Sequence, residues 1–257
     1  MTSAPAMQMT GVTVGAMRAP DRMVVEGANW TVHPGDYWVV AGLQGSGKSD
    51  FLMLAGGLMA PLQGHYMFFG EEMPIFEEAR LPQRLRLGMV FDSGQLFNDL
   101  TVEENVALPL QYHHNLTRTE AAAQVKPLLE CMELTAWAER ASGTIGRGWQ
   151  KRAGLARALA LKPEVLLVDN PLGGLDPRHT RWWLDCLDQL SRGHRLMDGR
   201  PLTLVVTTAA FGPWKGRARQ FAILQNRSLT VLGGWKELEA ANAELVREML
   251  TEQARTE

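Results

Sequence analysis

The sequence predicts an α/β fold with a mostly parallel sheet, an antiparallel β region in its N-terminal part and an inserted helical segment. The main observation is a phosphate-binding pattern, G-x-x-x-x-G-K-[ST], at residues 42–49. It lies between an apolar run at Tyr37–Ala41, typical of a buried strand, and a helical pattern at 50–55. Farther along, short apolar runs alternate with helical patterns, and this alternation is typical of parallel sheets.

Composition and charge narrow the class of protein. The 257 residues are 46% hydrophobic and 21% charged, and the net charge is −2. This charge gives no electrostatic support for nucleic acid as a principal ligand. The N-terminus lacks the basic and apolar regions of a secretory signal, and no apolar run approaches the roughly 18 residues of a membrane span. The sequence therefore predicts a cytosolic chain that reaches a membrane only through a partner.

Strands are predicted on both sides of the phosphate-binding loop. Before it, Val12–Val14 and Met23–Val25 alternate weakly, and His33–Asp36 carries a turn signal. After it, apolar runs predict strands at 65–69, 87–91, 165–168, 204–206 and 221–224. The connection between the last two is helix or loop.

Helical patterning is concentrated between residues 92 and 157, where we predict the inserted segment. Two of its helices begin with capping boxes, Thr101–Glu104 and Thr117–Glu120. The predicted helices are Thr101–Leu110, Thr117–Leu134 and Gly148–Leu161. A further amphipathic helix is predicted beyond the last strand, at Trp235–Gln253.

The chemistry of the phosphate-binding loop depends on its residue types. Glycines let the backbone bend so that successive N–H groups point at the phosphates, and a helix beginning there adds its N-terminal dipole. Lys48 reaches the β- and γ-phosphates, and the Ser49 hydroxyl ligates Mg²⁺. The predicted binding residues are Gly42, Gln44, Gly45, Ser46, Gly47, Lys48 and Ser49.

Segments farther along the chain contribute further candidate residues to the same site. The apolar strand Leu166–Val168 delivers Asp169 at its carboxyl end, where a P-loop enzyme holds an acid that supports Mg²⁺. Gly173–Pro177 follows it, and residues 150–160 precede it. In this order the chain resembles the ATP-binding cassette (ABC) family, with its phosphate loop, glutamine loop, signature, Walker B strand and D-loop.

The resemblance covers residues from about 10 to 234. Within it, the stretch 91–110 is similar to the ATPases of Mla/Mce-type lipid transporters, which move phospholipid or other hydrophobic cargo between membranes. The family implies a RecA-like P-loop NTPase core, a helical signature subdomain and a C-terminal helical tail. The corresponding ranges are 1–91 with 158–234, then 92–157, then 235–257.

The resemblance also implies cofactors and partners. ATP and Mg²⁺ are the cofactors, and Ser49 and Asp169 hold the metal. The partners are an integral-membrane permease, a second ATPase subunit in a homodimer or heterodimer, and, in Mla-type systems, a small accessory protein and an Mce-like lipid-binding protein. Such a subunit is cytoplasmic and peripheral on the inner face of the cell membrane.

Several family landmarks are replaced in this chain. Asp92 stands where the glutamine loop carries Gln, Asn170 where a Glu follows the Walker B Asp, and Thr208 where a His closes the next strand. The signature's L-S-G-G-Q corresponds to Ile145-Gly146-Arg147-Gly148-Trp149. No aromatic residue occurs between Val14 and Trp30 to stack on adenine.

These replacements predict impaired hydrolysis. Asn170 can hold water but cannot take its proton, and loss of a positioned base costs about 10²–10⁴-fold in rate. Thr208 offers only a neutral hydroxyl, and Gly146 lacks the signature hydroxyl. Asp92 either ligates Mg²⁺ or repels the phosphates. Arg147 is either a solvated surface residue or a phosphate contact supplied across a dimer interface.

The sequence thus predicts a degenerate transporter subunit that binds ATP-Mg with little or no hydrolysis, and the resemblance places Gly146, Arg147 and Gly148 at the nucleotide. The alternatives are an active ATPase that uses replacement residues, and a regulatory half of a heterodimer with an intact ATPase. A soluble ABC protein of DNA repair or translation would need a coiled-coil insertion or a second cassette, which are absent.

Two apolar surfaces are predicted to meet partners. The first follows Asp92 where ABC proteins receive the permease, and we expect it to be partly exposed; it consists of Leu96, Phe97, Leu100 and Val102. The second lies on the C-terminal helix and consists of Leu238, Leu245, Met249 and Leu250. This helix either braces a dimer or folds back on its own domain.

Overall fold

The computed structural model describes residues 4–73, 77–241 and 243–251. Its strands are β1 (Met7–Ala16), β2 (Ala19–Val32), β3 (Tyr37–Ala41), β4 (Gln63–Phe68), β5 (Glu71–Glu72), β6 (Leu87–Val90), β7 (Val165–Val168), β8 (Thr203–Thr208), β9 (Gln220–Gln225) and β10 (Ser228–Gly233). Its α-helices are α1 (Lys48–Ala55), α2 (Leu81–Arg84), α3 (Val102–His114), α4 (Arg118–Cys131), α5 (Arg147–Leu159), α6 (Pro177–Arg192), α7 (Trp235–Ala240) and α8 (Glu244–Thr251).

The strands form two sheets. A six-stranded sheet has the order β10-β9-β3-β8-β7-β6, and every pair in it is parallel except β9–β10. A four-stranded antiparallel sheet has the order β2-β1-β4-β5. The predicted α/β class, with a mostly parallel sheet and an antiparallel N-terminal region, is confirmed.

The six-stranded sheet separates two hydrophobic cores, and β3 shows how. All five of its residues are buried, and they alternate between the two sides. Val39 belongs to a core shared with α3–α8, whereas Trp38 and Val40 belong to a core shared with α1 and the antiparallel sheet. A strand covered on both faces needs a continuous apolar run, and residues 37–41 provide it.

The helices between β6 and β7 are fixed by caps and by one buried amide. The predicted capping boxes at the starts of α3 and α4 are confirmed. Asn105 on α3 is fully buried; its side chain accepts from Phe97 N at 2.8 Å and donates to Phe97 O at 3.0 Å. The loop that leads into α3 is therefore held by its backbone, while the Phe97 side chain is 59% exposed.

Several elements were not assigned bounds from sequence, and two of them, α6 and β10, are described here. The connection before β8 contains α6, which begins at Pro177 with Asp176 as its N-cap. With 16 residues, α6 is the longest helix in the described part of the chain. No helix of the described residues is long and apolar enough to cross a membrane. The second is β10, an edge strand with exposed and half-exposed residues, so it lacks the apolar run that marks a buried strand.

The C-terminal segment differs from the expected single helix. It forms α7 and α8 with an extended Ala241 between them, and Gln253 lies outside the described residues. Leu238 and Met249 are buried in the core shared with α6, and Phe211 N donates to Met249 O at 2.8 Å. The apolar face predicted for this segment is thus covered by its own chain.

Candidate functional site

A cavity of about 800 Å³ lies at the carboxyl ends of the parallel strands. Four strands deliver residues to it, because β3, β6, β7 and β8 all end at this edge. Its lining consists of Gln44, Gly45, Gly47, Lys48, Ser49, Asp50, Asp92, Arg147, Asp169, Asn170, Gly173, Gly174 and Ala209. The structure therefore brings together the phosphate-binding loop, Asp92, Arg147, Asp169 and Asn170.

The backbone of the phosphate-binding loop has the shape that an anion site requires. Gly45 and Gly47 have φ of 79° and 91°, a left-handed conformation that glycine adopts freely. Gly47 is the N-cap of α1 and provides no side-chain cap, so the first amides of the helix are available to an anion. A side chain at Gly47 would also meet Val24 at 3.0 Å.

Lys48 is folded onto its own loop. Its Nζ donates to Gly42 O at 2.7 Å and to Leu43 O at 2.8 Å. Burial lowers the pKa of Lys48, and the nearby Asp169 carboxylate partly opposes that shift. The ammonium is therefore a charge with little solvent around it, which strengthens its attraction to phosphate.

Asp169 and Ser49 fit a magnesium site in which the protein supplies only one or two of the ligands. Asp169 is buried, and its Oδ1 accepts from Thr207 Oγ1 at 2.5 Å, which fixes the carboxylate. Among the described residues no three His, Cys, Asp or Glu side chains form a metal cluster. Mg²⁺ commonly binds through one or two protein groups together with phosphate oxygens and water, and these two residues match that requirement.

Lys151, on the first turns of α5, is the centre of the polar contacts beneath the cavity. Its side chain is 1% exposed. Its Nζ donates to three backbone carbonyls, of Asn170 at 2.8 Å, Gly173 at 2.9 Å and Pro171 at 3.3 Å. It also pairs with Asp92 Oδ1 at 3.0 Å. Burial lowers the pKa of Lys151, and Asp92 opposes the shift.

Asp92 is neutralised by two cations of its own chain. Lys151 contacts one carboxylate oxygen, and Arg147 Nη2 contacts the other, Oδ2, at 2.8 Å. Two such contacts remove much of the repulsion that an isolated carboxylate would exert on phosphate. The Arg147 guanidinium also lies over Gly174, where a Cβ would come within 3.4 Å of Nη1.

Asn170 lies against the same group. Its Nδ2 donates to Asp92 Oδ1 at 3.3 Å, and its backbone N donates to Thr207 O at 3.2 Å and Thr207 Oγ1 at 3.1 Å. Its φ is 44°, in the left-handed region. The replacements at positions 92, 147 and 170 therefore contact one another through a shared set of hydrogen bonds.

Other predicted site residues lie outside this lining. Thr208 is buried, and its hydroxyl donates to Ala210 O at 3.1 Å and accepts from Ala210 N at 3.3 Å. Gly148 packs on the His179 ring, where a Cβ would approach to 2.8 Å. Gly146 is the N-cap of α5, and Gly42 contributes its carbonyl to Lys48.

A second cavity, of about 580 Å³, adjoins the first at Gly45. It is lined by Asp21, Arg22, Met23, Val24, Gly45, Ser46, Asn226 and Arg227. Asp169 lines the first cavity but not the second. No aromatic ring lines the second cavity, in agreement with the sequence between Val14 and Trp30.

Comparison with known proteins settles the family. The model of a family described as ABC transporter matches residues 25–173, more than half of the chain. The chain belongs to the ABC transporter family. The resemblance noted from the motif order is thereby confirmed at the level of the family.

Individual ABC relatives align over part of their length. The chain is 37% identical over 158 residues to the intermembrane phospholipid transport system ATP-binding protein MlaF of Escherichia coli K12, covering 61% of this chain and 59% of MlaF. It is 38% identical over 165 residues to the methionine import ATP-binding protein MetN 1 of Paraburkholderia xenovorans, covering 64% and 48%. The aligned region thus spans about half to three fifths of these relatives.

Solved ABC structures share the fold. The dimeric structure of the ATP-binding cassette MJ0796 bound to ADP and Pi has a TM-score of 0.76 and 25% identity, over 89% of this chain and 100% of that chain. CbiO1 of Clostridium perfringens, part of the ABC transporter complex cbiONQ, has a TM-score of 0.75 and 19% identity over 95% and 94%. The second likeness supports the fold alone.

Two residues of the site were missed by sequence reasoning. Thr207 orients Asp169, and Lys151 joins Asp92 to the carbonyls after β7. A signal for Lys151 was present, because it is the first of two adjacent basic residues on a helix whose next four residues are apolar or small. The sequence signal for Thr207 was weaker, because it is only a polar residue near the end of an apolar run.

Proposed function

We propose that the chain is the nucleotide-binding subunit of an ABC transporter, that it binds ATP with Mg²⁺, and that its hydrolysis is impaired or absent. The observation that carries the proposal is a single cavity in which a complete phosphate-binding loop faces Asn170. Lys48, Ser49 and Asp169 would hold the phosphates and the metal, and the bound ion would neutralise phosphate charge.

The carboxylates of the cavity support the impaired hydrolysis. Three carboxylates line it, and each is already engaged: Asp50 accepts from Met17 N at 2.9 Å, Asp169 from Thr207, and Asp92 from two cations. A general base must have a free lone pair within hydrogen-bond reach of the attacking water. Asp92 has a cation on each of its oxygens, and Asp169 is proposed to bind Mg²⁺, so neither of these two carboxylates is free to take that proton.

The hydroxyl that replaces the family's histidine supports the same conclusion. Thr208 exchanges hydrogen bonds with the backbone of Ala210, so its Oγ1 is directed into its own turn. It therefore offers nothing to a terminal phosphate. Asn170 can orient water through its amide, but the amide also donates to Asp92.

The cargo is proposed to be lipid or another hydrophobic molecule. MlaF of E. coli and MetN 1 of P. xenovorans are nearly equally similar to this chain, at 37% and 38% identity. What favours lipid is the likeness of residues 91–110 to Mla/Mce-type ATPases, in the segment that leads into α3. Import of a small polar molecule, as in the name of MetN, is the alternative.

The partners are proposed to be a permease in the membrane and a second ATPase subunit, with a small accessory protein and an Mce-like lipid-binding protein in an Mla-type assembly. The chain would then be peripheral on the inner face of the cell membrane. Phe97 supports a docking site: its backbone is fixed by Asn105, while its ring is 59% exposed. Val102, expected in the same cluster, is instead buried in the core.

The central experiment separates binding from turnover. Calorimetry of purified protein with Mg-ATP should show saturable binding, and phosphate release should stay near the level of a Lys48→Ala control. Lys48→Ala should remove the binding and keep the circular dichroism spectrum. Equal ATP affinity in both proteins would contradict nucleotide binding, and rapid phosphate release that Lys48→Ala abolishes would favour the active-ATPase alternative.

Docking through Phe97 is tested in the membrane. Phe97→Asp should release the subunit from membranes that carry the permease, because a charge would replace an apolar contact, and ATP affinity should not change. Leu62→Asp, which changes an exposed apolar residue elsewhere, is the matched control. Normal membrane association of Phe97→Asp would show that the permease binds another surface.

A regulatory half of a heterodimer is the remaining alternative. It predicts that phosphate release appears only when an intact ATPase subunit from the same operon is added. A Lys48→Ala change in this chain would then alter the rate of the partner without removing it. Release that is unaffected by adding any second subunit would exclude this role.

A further inference from the structure

Arg147 occupies its own chain's nucleotide cavity. It is the first residue of α5, and its guanidinium contacts Asp92 at 2.8 Å and lies over Gly174. Lys48 and Ser49 line the same cavity. From the sequence, a phosphate contact by Arg147 was expected only across a dimer interface, but the structure places Arg147 in the lining of the cavity that its own phosphate-binding loop also lines.

The two cations on Asp92 are held very differently. Lys151 is 1% exposed and is fixed by three backbone carbonyls, so it cannot leave without stranding buried groups. Arg147 is 51% exposed, and among the described residues its ion pair is with Asp92 alone. Arg147 can therefore leave Asp92 while Lys151 still neutralises that carboxylate.

We propose that Arg147 contacts the terminal phosphate of the nucleotide bound to its own chain, and that this phosphate replaces Asp92 as the acceptor of its guanidinium. The inference rests on the proposed nucleotide binding. Asp92 then holds the guanidinium in place until a triphosphate arrives. The consequence is that one subunit alone distinguishes a nucleoside triphosphate from a diphosphate.

The exchange of acceptors is favoured by the chemistry of the pair. Exposed arginine–carboxylate pairs contribute little to stability because water competes for both partners. Guanidinium groups bind phosphate through parallel, charge-assisted hydrogen bonds, and a terminal phosphate carries more charge than a carboxylate. A nucleoside diphosphate lacks the terminal phosphate, so Arg147 keeps its ion pair with Asp92 when ADP is bound.

The first test compares ATP with ADP by calorimetry at concentrations where light scattering shows a monomer. Arg147→Ala should weaken ATP binding about tenfold and leave ADP binding unchanged. Arg147→Gln should do the same, which excludes an effect of the shortened side chain. Arg118→Ala, which removes another exposed arginine with a carboxylate partner, should change neither affinity. Equal losses for ATP and ADP, or no loss, would overturn the proposal.

The second test separates action within a chain from action across a dimer. Lys48→Ala protein keeps Arg147, and Arg147→Ala protein keeps the phosphate-binding loop. If Arg147 acts within its own chain, mixing the two proteins leaves the ATP-to-ADP affinity ratio as low as in Arg147→Ala alone. Recovery of the wild-type ratio in the mixture would show action across the interface. Absence of ADP binding in every variant would instead contradict the proposed function itself.

Discussion

Lys151 makes the site of this chain a connected unit. One ammonium joins the loop after β6 to the turn after β7, through Asp92 and the carbonyls of Asn170, Pro171 and Gly173. Three of the residues that replace family landmarks, Asp92, Arg147 and Asn170, are therefore not independent of one another. A change at any one of them alters the hydrogen bonds of the others.

The first prediction concerns this lysine. Lys151→Met should lower the free energy of unfolding by about 1–3 kcal/mol, because buried carbonyls lose their donor. Lys162→Met is the matched control, since Lys162 also pairs with an aspartate, at 2.8 Å, but is half exposed. Urea unfolding followed by circular dichroism measures both. Equally small effects of Lys151→Met and Lys162→Met would mean that water hydrogen-bonds to the carbonyls once Lys151 is replaced.

The second prediction concerns restoration of hydrolysis. Asn170→Glu alone should leave phosphate release near zero, because the new carboxylate would lie beside Asp92, where Asn170 Nδ2 is now 3.3 Å from Oδ1. Asn170→Glu combined with Asp92→Gln should raise the rate about 10²-fold or more, the range of a positioned base. Adding Lys48→Ala should abolish the gain. A single Asn170→Glu that is fully active would show that the two carboxylates do not interact.

Sequence reasoning identified the candidate binding residues that belong to a fixed local motif. Gly45, Gly47 and Lys48 act through a contiguous loop whose geometry follows from spacing, and the structure has that geometry. The contact of Arg147 with Asp92 joins residues 55 positions apart, and spacing carries no information on it. Three-dimensional placement was needed to find the part of the site that is particular to this chain.

At the scale of elements, the helices that begin with strong caps were predicted well. Thr101 and Thr117 each accept from the amide three residues on, and each helix begins at the following residue. The C-terminal helix was predicted less well, because its amphipathic pattern continues across Ala241, whose backbone is extended. Periodicity alone did not reveal that break.

The third prediction follows from the burial of that segment. Leu238→Ala should lower the free energy of unfolding by about 2–5 kcal/mol, since Leu238 is fully buried in the core shared with α6. Deleting residues 236–257 should likewise lower the thermal stability of a monomer. Val231→Ala, at a half-exposed position on β10, is the control. A deletion that dissociates a dimer without changing monomer stability would instead support the alternative that this segment braces a dimer.

At the scale of the whole molecule, the two hydrophobic cores share one sheet. Neighbouring residues of β3, such as Trp38 and Val39, enter opposite cores, so neither core can be lost without disturbing the other. The alternation of strands and helices was enough to predict the mostly parallel sheet, but not the two cores that it separates. The edge strand β10 was not predicted, because an edge exposed to solvent needs no apolar pattern.

The fourth prediction is cooperative unfolding of the two cores. Trp30 reports on the core next to the antiparallel sheet, and Trp183 reports on the core next to the helices. In each of the variants Trp30→Phe and Trp183→Phe, the fluorescence midpoint in urea should coincide with the far-UV circular dichroism midpoint of the same variant. Two separated midpoints would show that the cores unfold as independent units.

The left-handed backbone at Asn170 also bears on how such a site persists over evolution. At a φ of 44°, asparagine is accommodated with less strain than glutamate. The residue that suits folding and the residue that suits proton removal are therefore different at this position. In a lineage whose transporter needs occupancy by nucleotide but no turnover, selection for stability alone retains the asparagine, and a mutation back to glutamate brings a folding cost with no immediate benefit.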